Sequence, residues 1–183
     1  MRKAIPAYLR AAAGSIVFAF LALSHGRMVF EAHAASQPTE APDRSQPRFD
    51  SPRLSDLARE MAKGGDKQGL LDKLWEEIRG KTPIVERIPG HDRERLVTFI
   101  WHGNKNTRRV GTIGTNPNPD PAEQELKRFL DTDLWYKTER MSSDARFGYL
   151  LGENGQSYNP DPFNPTVFAG RSVCELPDAP GTT

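Results

Sequence analysis

Leu96-Val97-Thr98-Phe99-Ile100-Trp101 is an uncharged run of β-branched, aromatic and leucine residues. Such side chains suit the pleated, half-buried surface of a strand. Successive residues of a strand point to opposite faces, so Val97, Phe99 and Trp101 share one side and Leu96, Thr98 and Ile100 the other. Outward from this run the same period of two recurs in short pieces. Pro83–Ile88 precedes it as a first strand, and Arg109–Ile113 follows as a weaker one. Leu134–Met141 and Arg146–Leu151 form a pair across the polar turn Ser142-Ser143-Asp144-Ala145, and Ser172–Leu176 closes the series. Five or six short strands separated by turn residues predict a mainly β protein, a small sandwich. The 15 glycines and 15 prolines agree, because both residue types interrupt regular elements.

Towards the N-terminus the period changes to that of a helix. Leu54, Leu57 and Met61 recur at helical spacing behind Ser51, a capping residue, and Pro52, which suits the first helical position. Gly64-Gly65 ends that helix. Asp66 caps a second, whose Leu70, Leu71, Leu74, Trp75 and Ile78 make one apolar face before Gly80 and Pro83 stop it. Residues 51–80 are thus a helical lead-in to a β domain over 81–180, and the apolar face requires something to pack on. Residues 35–50 are rich in Pro, Ser and Gln with almost no large apolar groups, the composition of a flexible linker. Residues 1–34 read as a signal peptide: Arg2, Lys3 and Arg10 are followed by the uncharged apolar run Ala11–Leu23 and by Ala32-His33-Ala34, an A-x-A cleavage pattern. That run is shorter than the roughly 20 residues a membrane-spanning helix needs, so no stable span remains after cleavage. The expected location is periplasmic or secreted.

Composition excludes several function classes. With 25 basic and 24 acidic residues the formal net charge is +1, which gives no general electrostatic hold on nucleic acid. Cys174 is the single cysteine and cannot form an intramolecular bridge; beside Val173 and Leu176 it reads as a buried strand residue. No G-x-S-x-G nucleophile turn occurs, since Gly170-Arg171-Ser172-Val173-Cys174 lacks the second glycine. His25 and His33 fall in the leader, while His91 and His102 match no zinc spacing and read as surface histidines. Asp120, Asp131 and Asp133 are the calcium candidates by type, but the segment Asn116–Pro121 lacks the alternating oxygens and central glycine of a calcium loop. No catalytic residue, metal site or cofactor is expected.

The aromatics are more informative. Trp101, Trp135, Tyr136, Phe147, Tyr149, Phe163 and Phe168 crowd the β region, where a sandwich core needs large inward side chains. Trp135 and Tyr136 are adjacent on one strand and face opposite sides, so one of them is a candidate outward aromatic for a ligand or a neighbouring domain.

Several segments, in order, resemble the N-terminal domain of the enterochelin (enterobactin) esterases. They are Leu74-Trp75 running into Gly80-Lys81-Thr82-Pro83-Ile84-Val85-Glu86, then Val97–Trp101, then Thr132-Asp133-Leu134-Trp135-Tyr136 with Arg146-Phe147-Gly148-Tyr149. Asp161-Pro162-Phe163-Asn164-Pro165 and Ser172–Pro180 complete the pattern, which covers roughly residues 66–180. The resemblance implies an immunoglobulin-like, early-set β-sandwich. It further implies a non-catalytic accessory domain beside a separate or missing α/β-hydrolase domain, in a system that cleaves the ester bonds of a ferric siderophore for iron acquisition. No catalytic residue of the family falls on any position of this chain. Trp135, Tyr136, Asp161, Phe163 and Asn164 are the implied substrate or domain-interface positions, and a ferric siderophore the implied ligand. A stand-alone exported carbohydrate- or siderophore-binding module is the alternative.

Overall fold

The computed structural model describes residues 50–115 and 121–181, which lie within one compact unit. The leader, most of the linker and Asp120 lie outside the described residues. Two helices, α1 (Pro52–Ala62) and α2 (Lys67–Ile78), precede eight strands. These are β1 (Ile84–Arg87), β2 (Glu94–His102), β3 (Val110–Ile113), β4 (Glu125–Arg128), β5 (Leu134–Ser142), β6 (Arg146–Glu153), β7 (Val167–Phe168) and β8 (Arg171–Glu175). A 3-10 turn, Pro121–Gln124, leads into β4. All pairings are antiparallel, in the order β1-β2-β5-β4-β3-β6-β8-β7. The mainly β class with two leading helices therefore holds, as one curled series of eight strands. Two of them, β4 and β7, are additional to the six read from the sequence.

The Leu96–Trp101 run lies in β2, one strand in from the β1 edge. β2 pairs with β5 over nine residues, from Glu94↔Ser142 to His102↔Leu134, and with β1 on its other side. Its alternation sorts two cores. Val97 and Phe99, with Trp101 partly buried against them, join Val110, Leu126, Trp135, Tyr149, Leu151, Cys174 and Leu176 inside the curl. Ile100 points the other way, with Leu134 and Phe129, into a second core built by Leu54, Leu57, Met61, Leu71, Leu74, Trp75 and Ile78 of the helices. The helical apolar face thus packs on the outer side of β2 and β5. Residues 97–100 are all buried because each face of the strand is covered. Full burial of each leucine or isoleucine stabilises the fold by about 1.5–3 kcal/mol.

The helices are tied to the sheet by a polar joint as well. Ser51 accepts a hydrogen bond from Leu54 N at 3.2 Å and donates one to Glu86 Oε2 at 2.6 Å. Glu86, on β1, also accepts from Arg53 N at 2.7 Å, so a carboxylate from another element satisfies the orphan donors at the start of α1. Ser51 is fully buried. Ser51→Ala removes both bonds and is expected to lower the unfolding free energy by about 1–2 kcal/mol, read as a shift in urea midpoint. A midpoint unchanged within error would show that water caps the helix equally well.

Candidate functional site

The segment Asp161–Pro165 folds as a buried polar knot. Asp161 Oδ2 accepts from the Tyr149 hydroxyl at 2.8 Å and Oδ1 from Phe163 N at 2.9 Å, an Asx turn. The Asp161 amide donates to Ser172 Oγ at 2.8 Å. Asn164 Nδ2 donates to the Tyr149 hydroxyl at 3.2 Å and to the Val173 carbonyl at 3.0 Å, while its Oδ1 accepts from Thr166 N at 2.8 Å. Asp161, Asn164, Tyr149 and Ser172 are all buried, and their polar groups are engaged with one another. Burial raises the Asp161 carboxyl above the usual carboxylate range, against the pull of the Phe163 amide and the Tyr149 hydroxyl. This knot fastens the loop before β7 to β6 and β8.

Phe163 leaves the knot towards the helices. Its ring stacks on Trp75 at 5.5 Å between centroids, and Trp75 stacks in turn on His102 at 4.5 Å, with interplanar angles of 18° and 16°. His102 Nε2 lies 3.1 Å from Asp133 Oδ2. Helix α2, the end of β2, the start of β5 and the 161–164 loop therefore meet in one stack of rings. The His102–Asp133 pair was missed in sequence because the two residues are 31 positions apart. Pairing the two strongest strands antiparallel would have revealed it, since His102 ends one and Asp133 precedes the other.

The other positions separate. Trp135 is buried in the inner core, opposite Trp101 in the β2–β5 register. Gly103 lies so close to it that a Cβ there would stand 2.7 Å from the indole nitrogen. Tyr136, on the opposite face, is half-buried and meets Phe129 edge-on at 6.0 Å. Burial, followed by the charge of Asp50, raises its phenol pKa. Tyr136 also borders a cavity of about 400 Å³, with Asp50, Glu125, Lys127, Lys137 and Glu139 around it. Lys137 and Glu139 form an ion pair there. The structure thus places Asp161, Phe163 and Asn164 together and holds Trp135 and Tyr136 apart on opposite faces.

Cys174 is buried on β8, and desolvation pushes its thiol up to about 12, which leaves it an apolar filler. His91 is exposed, with Nδ1 3.4 Å from Glu94. Arg140, which pairs with Glu94, is the main reason that this carboxyl lies below its ordinary value. Among the described residues no group of three or more His, Cys, Asp or Glu side chains converges as a metal site, and no helix is long and apolar enough to cross a membrane. Among the described residues the most exposed large apolar side chain is Phe168, 77% exposed, beside Val167 at 51% on the edge strand β7. The turn beyond them, Ala169-Gly170, has both residues at positive φ (47° and 74°), the two-residue hairpin geometry.

Comparison with known proteins bears on the middle of the chain. Residues 96–158, from β2 through the loop after β6, match the sequence model of the family "Enterochelin esterase, N-terminal". No curated protein matches the chain. Solved structures do. The enterobactin esterase of Shigella flexneri, crystallised in the presence of enterobactin, has 22% identity over 59% of this chain and 36% of its own, with a TM-score of 0.49. The ferric enterobactin esterase of Salmonella typhimurium has 21% identity over 60% of this chain and 37% of its own, with a TM-score of 0.47. The chain spans little more than a third of the length of these proteins. Across residues 96–158, then, this chain is similar to the N-terminal domain of the enterochelin esterases, the family that its strand sequences resemble.

Proposed function

We propose that this chain is a non-catalytic accessory domain of an exported siderophore-esterase system, acting with a separate α/β-hydrolase domain in the hydrolysis of ferric enterobactin for iron acquisition. The observation that carries this reading is the family match over 96–158, which falls on the central strands and their register. One feature of the surface supports it. Exposed Val167 and Phe168 provide apolar surface of the kind that a second domain covers. Export to the periplasm rests on the leader sequence and belongs to the same proposal.

The test is a hydrolysis assay of the purified full chain with ferric enterobactin, resolving products by chromatography. The expected result is no turnover above the buffer control. Steady release of the linear trimer or of its monomers would overturn the accessory reading. A second reading, a stand-alone carbohydrate- or siderophore-binding module, is favoured by the cavity beside Tyr136, which combines an aromatic ring with charged groups. Saturable quenching of tryptophan fluorescence without hydrolysis, abolished by Tyr136→Ala, would decide for it.

A further inference from the structure

The loop between β2 and β3 is held more rigidly than a connection requires, and its charges are unbalanced. Asn154, at the end of β6 with φ 55°, clamps it through four bonds. Its Oδ1 accepts from Arg108 N at 2.8 Å and Arg109 N at 3.3 Å, its Nδ2 donates to the Asn106 carbonyl at 3.0 Å, and its amide donates to the Arg109 carbonyl at 2.9 Å. Inside the loop, Asn104 N donates to Thr107 Oγ1 at 2.7 Å and Asn106 N to Asn104 Oδ1 at 2.8 Å. The backbone is therefore fixed before any partner arrives.

On this frame sit Lys105, Arg108 and Arg109, all exposed. Among the described residues no carboxylate comes within ion-pair reach of any of the three. The acid at the base of the loop is Glu153, and it is engaged by neutral donors: the Trp101 indole at 3.0 Å, Asn154 Nδ2 at 3.4 Å and Asn104 Nδ2 at 3.5 Å. Some arginines elsewhere pair with acids, as Arg53 does with Glu77, Arg79 with Glu76 and Arg146 with Glu175, and what sets this loop apart is three such cations close together on a fixed backbone. A chain of formal charge +1 thus places three cations within five residues, none of them ion-paired among the described residues. Arg109 is also held in place, its guanidinium lying where a Cβ on Gly155 would stand 2.3 Å away. Two guanidinium forks and an ammonium on one rigid loop match the oxygens of a multiply charged anion better than those of a single carboxylate.

We propose that residues 104–109 form a binding site for a small multivalent oxyanion, one bearing two or more negative charges on phosphate- or carboxylate-type oxygens. The site is independent of the esterase reading and lies outside the Asp161 knot. The probe is inorganic pyrophosphate, titrated into the full chain and followed by amide proton–nitrogen correlation spectra at low and near-physiological salt. The expected result is saturable shifts confined to residues 104–109 and 153–156, weakening as salt screens the charges. The triple variant Lys105→Gln, Arg108→Gln, Arg109→Gln, with otherwise unchanged spectra, is expected to bind at least tenfold more weakly. Asn154→Ala keeps all three charges but releases the loop, and a loss of severalfold is expected. If the triple variant does not fold, Lys105→Gln alone, an exposed side chain with no hydrogen bond or ion pair among the described residues, is expected to weaken binding two- to threefold. Absence of saturable shifts, shifts spread over every exposed lysine and arginine, or undiminished binding by the variants would each overturn the proposal.

Discussion

Phe99→Ala is expected to lower the unfolding free energy by about 4 kcal/mol, within the usual range for removing a buried aromatic. Phe99 is fully buried at the centre of β2. Its ring meets Tyr149 edge-on at 5.0 Å and Phe147 at 6.2 Å, which joins the β2–β5 side of the curl to the β6–β8 side. Alanine leaves a void between two strands whose backbone is fixed by hydrogen bonding on both sides, so the surrounding core cannot close on it. The loss is a large part of the 5–15 kcal/mol typical of a domain. Guanidinium denaturation followed by near-ultraviolet circular dichroism checks it. A change under about 1 kcal/mol would mean that the two sides of the curl repack freely.

Asp161→Ala is expected to cost about 2–3 kcal/mol at neutral pH, because it strands the buried Tyr149 hydroxyl and frees the partly buried Phe163 amide. The phenol keeps its proton throughout, since burial holds its pKa far above the ordinary tyrosine range. The pH dependence has a definite sign. Burial raises the folded pKa of Asp161 above its ordinary 3.8, so in that window the native state holds a proton that the unfolded chain has released. The group's penalty on stability is therefore full above the folded pKa and disappears as pH falls towards 3.8. The destabilisation caused by Asp161→Ala is expected to grow on acidification through this window, measured as the difference in urea stability between wild type and variant. A difference that stays flat or shrinks would show that ionisation of Asp161 is not disfavoured in the fold.

The elements legible in the sequence were those with a strong period. Leu54, Leu57 and Met61 revealed α1, and Leu96–Trp101 revealed β2 and both of its faces, because alternation is written directly into the residues. Glu125-Leu126-Lys127-Arg128 carries a single apolar residue, and it is a strand only because β3 and β5 offer it hydrogen bonds on both sides. Val167–Phe168 is two residues long and exists through its pairing with Arg171 and Ser172. Pairing over such short stretches is a tertiary fact and leaves no period to read. The candidate site was partly legible. Asp161-Pro162-Phe163-Asn164-Pro165 stood out as a unit, and it is one. That Asp161 and Asn164 turn inward depends on Tyr149 and Ser172, which lie on other strands. The His102–Asp133 contact likewise needed the β2–β5 register before it could be seen.

The polar joint and apolar packing that bind the helices to the sheet have a practical consequence for cutting the gene. A fragment beginning at Lys81 would contain every strand, yet it would present Ile100, Leu134 and Tyr136 bare to solvent and leave Glu86 without Ser51. Such a piece would be expected to clump on expression and to be degraded. The shortest soluble fragment should start ahead of Ser51.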